Sequence, residues 1–395
     1  MTDKDKTIRV LVVDGVYPPA YTGAGLRAHR TYKRLANKFP VEFSVLTTNS
    51  GGLSAGVDEY DGIQIYRTKA NKSLLSQLLQ VYSFFKKYDL RRFDIVHGFG
   101  GSLVVYAAGL WAKFHSMKLI YEITVFSTNN KRTLIRKIKD ALNFFRFGYA
   151  GKIIYKKADL FIAINESIRK HYKQQCIPDS KIWLRPNPVD TTKYYLPDES
   201  ERRTIRKDIN IPENKIVILL VGKFEPRKNQ KFALEVIRSL PDDYYLLMVG
   251  PADDSVTWYF DDINTTMGTN GIHKKVGLYT GYRTDIEMFY RASDILWIPS
   301  KSEGTPNVML EGLCCGIPVL ANSDLALHDY IVDSKNGYHA VLNVEDFRKK
   351  TLLLQKLSKN STVRSTIAES AANNYRAEMI DQKFITHLQL LQDNN

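Results

Sequence analysis

The sequence is poor in cysteine and contains no long apolar run. Its 395 residues include three cysteines, Cys176, Cys314 and Cys315, which are too few for a disulfide framework and indicate a reducing, cytosolic compartment. The charged start, Met-Thr-Asp-Lys-Asp-Lys, lacks the apolar segment of a signal peptide. The longest apolar stretch, residues 103–112, is half as long as a membrane span. We therefore expect neither a secreted protein nor an integral membrane protein.

Metal-binding patterns are also missing. The eight histidines show no His-x-His or His-x3-His spacing. The aspartate pairs at 253–254 and 261–262 stand in polar segments, where charged runs are usually solvated. We expect no bound metal and a metal-independent activity.

Acidic residues are scarce in the first half of the chain. Residues 1–200 contain 32 Lys and Arg against 17 Asp and Glu, whereas residues 201–395 contain 24 against 25. The net charge of +14 therefore belongs to the first half. Charge of one sign bears on binding partners more than on fold, so the first half is expected to meet an anionic partner.

Short β-branched runs alternate with helical patterns along the chain, which predicts an α/β protein with two Rossmann-like domains. A Pro-Asn-Pro turn at 185–190 and a polar run at 197–210 indicate a boundary near residue 195. The expected parts are residues 1–195, residues 196–372 and one C-terminal helix, residues 373–395. The clearest expected elements are strands at 8–13, 216–221 and 295–298 and helices at 27–37, 74–87, 103–114 and 134–155.

The segment 302–319 carries a full set of helix signals after an expected strand. Thr305 is expected to cap the helix, Pro306 to take its first position and Gly316 to end it in a left-handed conformation. Backbone amides at 305–308 would then face the crevice at the carboxyl end of the strand, where an anion can bind.

Two glutamates in this segment stand eight positions apart, with seven residues between them. Glu303 stands in the loop and Glu311 in the second turn of the helix. Taken singly, each is most simply an ordinary surface residue, but the spacing and the helix signals favour a sugar and ribose site. The segment resembles the E-x7-E motif of retaining glycosyltransferases with the GT-B fold, in particular glycosyltransferase family 4. In that family the residue at the position of Glu303 contacts the transferred sugar, and that at Glu311 binds the ribose.

Two further motifs support the resemblance. Val221 to Asn229 is similar to the G-R-x-x-x-x-K pattern whose cations hold the donor diphosphate, with Lys228 at the lysine position and Lys223 replacing the usual arginine. Tyr17 to Arg27 is similar to the glycine-rich loop that lets the backbone approach the donor. The resemblance assigns donor binding to Gly23, Gly25, Lys223, Lys228, Gly304, Thr305, Asn307, Val308 and Glu311.

The acceptor side departs from the family pattern. Many relatives carry a His or Asp after the strand that here ends at Glu122, and this chain has Glu122 and Thr124 there. Glu122 is expected either to orient an acceptor hydroxyl or to be a buried structural carboxylate. His97, at the end of the preceding strand, is the competing candidate, and a structural role is the alternative for it as well. The catalytic residues expected are Glu303, Lys228, Lys223, Glu122 and His97.

The resemblance implies two Rossmann-like domains facing across a cleft, with the acceptor domain first and the C-terminal helix crossing back to it. It implies attack on the same face of the sugar as the departing diphosphate, with UDP favoured over GDP as the nucleotide. No cofactor is implied. The acceptor would be a glycan or a lipid-linked glycan, as in the synthesis of bacterial surface polysaccharide. The alternatives are a nucleotide-sugar epimerase of the same fold and a basic nucleic-acid-binding protein, but no nucleic-acid-binding motif accompanies the charge.

A basic amphipathic segment points to the membrane as the place of reaction. Residues 131–157 contain nine Lys and Arg against one Asp, with an apolar arc along one side of the expected helix. The arc could equally pack on the sheet. Together with the charge of the first half, it predicts a cytoplasmic protein held peripherally at the inner face of the cell membrane.

Overall fold

The computed structural model describes residues 7–20, 23–50, 52–71, 73–123, 157–252, 256–269 and 271–393. The chain divides into two compact units. Met1–Pro186 and Glu378–Asn395 form the first unit, and Asn187–Ala377 forms the second. The helix expected at 134–155 and Thr124 lie outside the described residues.

The first unit is built on an eight-stranded sheet. Its strands are β1 (Ile8–Asp14), β2 (Val41–Thr48), β3 (Gly56–Tyr60), β4 (Ile63–Thr68), β5 (Ile95–Phe99), β6 (Lys118–Glu122), β7 (Leu160–Ala163) and β8 (Ile182–Leu184). Their order in the sheet is β3-β4-β2-β1-β5-β6-β7-β8, and neighbours are parallel except for the β3–β4 hairpin. The described helices before the second unit are α1 (Gly23–Lys38), α2 (Leu74–Lys87), α3 (Leu103–Phe114) and α4 (Glu166–Gln174).

Strand β1 is apolar along almost its whole length because both of its faces are buried. Leu11 and Val13 enter one core cluster, and Val10 and Val12 enter another on the opposite face. Parallel sheets covered on both faces produce such continuous apolar runs. The carboxyl ends of the strands are then the part of the sheet left for polar chemistry.

The second unit repeats this design with six parallel strands. They are β9 (Ile216–Val221), β10 (Tyr244–Gly250), β11 (Val276–Thr280), β12 (Ile295–Ile298), β13 (Val319–Asn322) and β14 (Gly337–Ala340). Their order is β11-β10-β9-β12-β13-β14. The helices are α5 (Glu199–Asp208), α6 (Gln230–Ser239), α7 (Thr257–Thr269), α8 (Ile286–Ala292), α9 (Asn307–Cys314), α10 (Val344–Ser358) and α11 (Ser361–Tyr375).

The prediction of a single, uninterrupted helix at the C-terminus is wrong. The helical pattern is interrupted at Arg376, whose extended backbone (ψ 125°) separates α11 from a last helix, α12 (Ala377–Asp393). The break is filled by a parallel bridge, in which the amide of Val189 donates to Tyr375 O at 2.7 Å and the amide of Ala377 donates to Val189 O at 2.9 Å. Backbone pairing with a distant residue, Val189, therefore overrides local helix propensity.

The last helix returns to the first unit, as expected. Its buried side chains Phe384, Ile385 and Leu388 belong to the same core cluster as the β1 residues Val10 and Val12. The buried carboxylate of Asp381 accepts two hydrogen bonds from the Arg34 guanidinium, at 2.7 and 3.0 Å. The two sheets with this returning helix are the GT-B fold.

Candidate functional site

The structure brings Glu303 and Lys228 into direct contact. Both lie after the carboxyl ends of adjacent parallel strands, because β9 pairs with β12. Lys228 Nζ lies 2.7 Å from Glu303 Oε1, and Arg227 Nη1 lies 3.1 Å from Oε2. The Glu303 side chain is only 8% exposed. Two motifs far apart in the sequence therefore form one cluster of charge.

The charge state of Glu303 is set by these partners. Burial alone would raise the pKa of this carboxyl, but Lys228 and Arg227 outweigh it and hold the pKa below its ordinary value. Glu303 is therefore ionised at neutral pH. An ionised carboxylate accepts hydrogen bonds, which is what the hydroxyls of a sugar offer.

A constrained turn positions Lys228 after β9. Gly222 has a φ of 154°, and a Cβ added there would approach the Cε of Lys228 to 3.0 Å. The turn is closed by a bond from the Lys228 amide to Glu225 O at 2.9 Å. Asn229 adopts a left-handed conformation (φ 62°) before helix α6, and its side-chain amide donates to Pro299 O at 3.2 Å. The loops after β9 and β12 are thus held together by side-chain and backbone bonds.

Glu311 lies in helix α9 and is tied to the body of the unit. Its Oε2 accepts a hydrogen bond of 2.7 Å from the hydroxyl of Tyr290 on α8. Tyr290 is fully buried, so this bond fixes the rotamer of Glu311. The second glutamate of the motif is therefore a positioned side chain.

The start of α9 differs from the expectation. Pro306 is the N-cap, with an extended backbone (ψ 124°), and the helix begins at Asn307, so Pro306 does not take the first helical position and Thr305 is not the cap. The side-chain amide of Asn187 contacts Thr305 O at 3.3 Å and Asn307 Oδ1 at 2.7 Å. A distant side chain thus supports this helix start.

The expected end of α9 is confirmed. Gly316 has a φ of 66°, and a Cβ there would meet Arg364 O at 2.7 Å. The amide of Ile317 bonds Gly312 O at 3.0 Å, which satisfies a carbonyl of the last turn.

The remaining donor residues of the second unit lie on the same two loops or, for Val308, in the first turn of α9. Lys223 follows Gly222 at the end of β9, and its carbonyl accepts a bond of 2.8 Å from the Gln230 side chain. Gly304 adjoins Glu303 in the loop before α9, and Val308 packs against the core of the unit. Their roles at the donor stay predictions.

In the first unit the glycines lie in a helix where a loop was expected. Helix α1 begins at Gly23, so Gly23 and Gly25 both occupy its first turn. The helix was expected to start near Arg27. No heavy atom lies within 4 Å of a Cβ built on Gly23. Gly23 therefore has the open space that the proposed backbone approach needs, whereas Gly25 is buried in the helix.

Glu122 and His97 meet in a buried cluster. Glu122 ends β6, but His97 lies in the middle of β5 and not at the end of the strand, where it was expected. Glu122 is fully enclosed, forms an ion pair with Arg27, and has Arg185 Nη1 at 3.3 Å from its Oε2. His97 Nε2 lies 3.8 Å from the same oxygen, and Nδ1 lies 2.8 Å from the Tyr32 hydroxyl. Burial and the charge of Arg185 lower the pKa of His97 well below its ordinary value, so the imidazole is neutral.

Asp14 is a candidate that the motifs did not reveal. It ends β1 in the same row as Phe99 of β5 and Glu122 of β6. Burial raises the pKa of Asp14 to about 7, although hydrogen bonds from the amides of Gly15 and Val16 act in the opposite direction and lower it. Its Oδ2 has no hydrogen-bond partner among the described residues. An acidic residue directly after a buried apolar strand is the sequence signal that marks it.

Within the described ranges, no group of three or more His, Cys, Asp or Glu side chains could hold a metal ion. Asp262 instead forms an ion pair with Lys231, in which Oδ2 lies 2.6 Å from Nζ. The Asp253–Asp254 pair lies outside the described residues.

Two family models match consecutive parts of the chain. The model described as "Glycosyltransferase Family 4" matches residues 21–193, and that described as "Glycosyl transferases group 1" matches residues 201–373. The chain belongs to glycosyltransferase family 4, group 1. This glycosyltransferase uses a nucleotide sugar. Its two matched regions contain Gly23 and Gly25 of the glycine-rich segment and both donor motifs of the second unit.

Relatives of this family 4 glycosyltransferase act in glycan assembly according to their names. It is 23% identical over 348 residues, 82% of each chain, to UDP-Gal:α-D-GlcNAc-diphosphoundecaprenol α-1,3-galactosyltransferase from Escherichia coli. It is 25% identical over 241 residues, 59% of this chain and 61% of the relative, to N,N'-diacetylbacillosaminyl-diphospho-undecaprenol α-1,3-N-acetylgalactosaminyltransferase from Campylobacter jejuni. Anabaena HepE, solved in complex with UDP, has the same fold, with a TM-score of 0.76, 17% identity, and coverage of 97% of this chain and 100% of HepE.

None of the helices in the described part of this glycosyltransferase is both long and apolar enough to cross a bilayer.

Proposed function

We propose that this glycosyltransferase is a retaining hexosyltransferase that moves a sugar from a nucleoside-diphosphate sugar to a glycan or lipid-linked acceptor. UDP is favoured over GDP, and the reaction takes place at the cytoplasmic face of the cell membrane, where the protein is held peripherally. The observation that carries the proposal is the 2.7 Å contact between Lys228 Nζ and Glu303 Oε1. It joins the motif that would hold the diphosphate to the motif that would hold the sugar.

The proposed chemistry is the stabilisation of a leaving diphosphate. Lys228 and Lys223 neutralise its developing charge together with the backbone amides near Gly25 and Val308. Glu303 binds hydroxyls of the transferred sugar, and Glu311, held by Tyr290, binds the ribose. A phosphate oxygen takes the proton of the acceptor as the acceptor attacks. Preorganised charge of this kind is the largest contribution in many enzymes.

The acceptor is proposed from charge and from the relatives. The names of the relatives from E. coli and C. jejuni both contain a diphosphoundecaprenol acceptor. Such an acceptor is an anion in a membrane, which suits the excess of 15 positive charges in residues 1–200. Glu122 is enclosed by Arg27 and Arg185. We therefore assign it a structural role, which is to hold Arg27 and Arg185 at the carboxyl end of β6. Asp14 ends the nearby strand β1, and because its buried Oδ2 has no hydrogen-bond partner among the described residues, we assign this carboxyl group to the acceptor hydroxyl.

A donor screen with matched lysine variants tests the proposal. Purified protein is incubated with UDP- and GDP-sugars, and release of the nucleoside diphosphate is measured with and without diphospho-lipid acceptors. We expect Lys228→Ala and Glu303→Ala each to lower turnover by about 10²-fold or more, the size of one lost transition-state contact. Lys231→Ala is the control, because Lys231 lies three residues further on, in α6, and pairs with Asp262 on the surface.

Wild-type turnover in folded Lys228→Ala protein would refute the assignment of the donor site. An inverted anomeric product would refute retention. Release of a free, epimerised sugar without transfer would favour the epimerase alternative.

A further inference from the structure

Helices α2 and α3 of the first unit present large apolar side chains to solvent. Leu75 is 67% exposed, Leu79 61%, Tyr82 43% and, at the end of α3, Phe114 75%. The three residues of α2 follow the spacing i, i+4, i+7, which places them in one stripe along the helix. The opposite side of α2 is buried through Gln77, Val81 and Phe85. Large apolar side chains therefore lie on both sides of this helix.

The exposed side chains form one ordered surface. Tyr82 stacks on Trp111 of α3, with ring centroids 4.7 Å apart and an interplanar angle of 26°. Trp111 meets Phe114 edge-on at 5.5 Å and donates its indole N–H to Leu78 O at 3.0 Å. We call Leu75, Leu79, Tyr82, Trp111 and Phe114 the α2–α3 apolar surface. Since its rings are already fixed by contacts, little side-chain freedom would be lost on docking.

Positive charge borders this surface at the C-terminal end of α2. Residues 69–118 contain eight Lys and Arg but two Asp and no Glu. Lys86 extends the stripe of α2 by one further turn, and Lys87 follows it, both exposed. Arg91 and Arg92 are also exposed just beyond the helix. An apolar stripe bordered by cations, with Tyr and Trp at its edge, has the composition of a surface that lies in a bilayer interface.

We propose that the α2–α3 apolar surface docks on an anionic lipid bilayer, with Leu75, Leu79 and Phe114 entering the interface and the flanking cations contacting lipid headgroups. The proposal deepens the proposed function, on which it rests for the membrane as the place of reaction. It names a surface different from residues 131–157. Charge complementarity favours a bilayer over a second copy of this chain, because two copies facing through these helices would bring like charges together.

Flotation of the full-length protein with lipid vesicles tests the proposal. Vesicles of phosphatidylcholine alone are compared with vesicles in which roughly a third of the lipid is phosphatidylglycerol. We expect the wild type to float with the anionic vesicles and the double variant Leu79→Glu/Phe114→Glu to lose at least about tenfold in partitioning, since two large apolar groups are removed from the interface. The control is Val341→Glu, which changes an exposed apolar residue of the second unit.

Undiminished flotation of the double variant would overturn the proposal and direct attention to residues 131–157. Equal flotation with neutral and anionic vesicles would overturn its electrostatic part. A concentration-dependent dimer that the double variant abolishes, without binding to vesicles, would overturn it in favour of a self-association surface.

The readouts separate this inference from the proposed function. The thermal shift of the protein with UDP and the hydrolysis of the donor in detergent do not require a membrane. We expect both to be unchanged in Leu79→Glu/Phe114→Glu. Loss of vesicle binding with intact UDP binding supports the docking surface alone, whereas absence of UDP binding in the wild type refutes the proposed function and leaves the flotation result standing.

Discussion

Replacement of Asp14 by Asn should make the protein more stable at alkaline pH. Asp14 is buried at the end of β1, where burial raises the pKa of its carboxyl from 3.8 to about 7. A carboxyl of this kind stabilises the fold fully only below its unfolded pKa. That stability is lost as the pH rises through the folded pKa, because the folded protein must then hold a buried charge. Asn keeps an acceptor for the amides of Gly15 and Val16 and never ionises.

The expected size follows from the difference between the two pKa values. A shift of about 3 units at about 1.4 kcal/mol each gives a free energy of unfolding about 4 kcal/mol higher for Asp14→Asn at pH 8. At pH 4 the two proteins should be nearly equal. For a unit of this size, the difference corresponds to a melting temperature higher by about 10 °C.

Thermal unfolding of both proteins at half-unit steps between pH 4 and pH 8 measures this. The difference in stability between variant and wild type isolates the contribution of Asp14, because the other titrating groups, including His97, are present in both proteins. A difference that stays constant across the series would refute the reasoning. So would a variant that becomes less stable as the pH rises.

Two further substitutions test how the structure is stabilised at the carboxyl ends of strands β10 and β6. Gly250→Ala should destabilise the second unit by more than about 3 kcal/mol, since its φ is 155° and a Cβ there would lie 2.2 Å from Gly222 O. Gly271→Ala is the control, because it has a positive φ but no atom within 4 Å, and a similar loss there would contradict the steric argument. Glu122→Ala should lower the free energy of urea unfolding by about 3–5 kcal/mol because it leaves the buried Arg185 without its carboxylate, whereas a loss below about 1 kcal/mol would contradict that role.

Elements with strong local patterns were predictable from the sequence. Helices 74–87 and 103–114 and the strands 216–221 and 295–298 have the bounds that apolar periodicity indicates. The hairpin of β3 and β4 was missed, although Asp61 and Gly62 between them form a two-residue Asp-Gly turn with φ of 52° and 73°. That signal was readable, but β3 is exposed and polar and so lacks an apolar pattern.

Features made by distant partners were not predictable. Nothing near Arg376 breaks a helix, because neither Gly nor Pro is present there, and the interruption depends on Val189. The enclosure of Glu122 depends on Arg27 and Arg185, which come from other elements. The predicted donor residues were assigned from their resemblance to family motifs, which stand in turns after strands. Their mutual pairing, including Arg227 with Glu303, required the folded arrangement of β9 beside β12.

The pairing of Glu303 with two cations also bears on which anions the proposed donor site can bind. A free phosphate ion that drew Lys228 and Arg227 away would leave Glu303 ionised and almost buried without a counter-charge, which is unfavourable. A sugar diphosphate offers an anion to the cations and hydroxyl donors to the carboxylate together. We therefore expect the proposed donor site to bind a nucleoside-diphosphate sugar in preference to inorganic phosphate, because only the sugar diphosphate satisfies both the cations and the carboxylate.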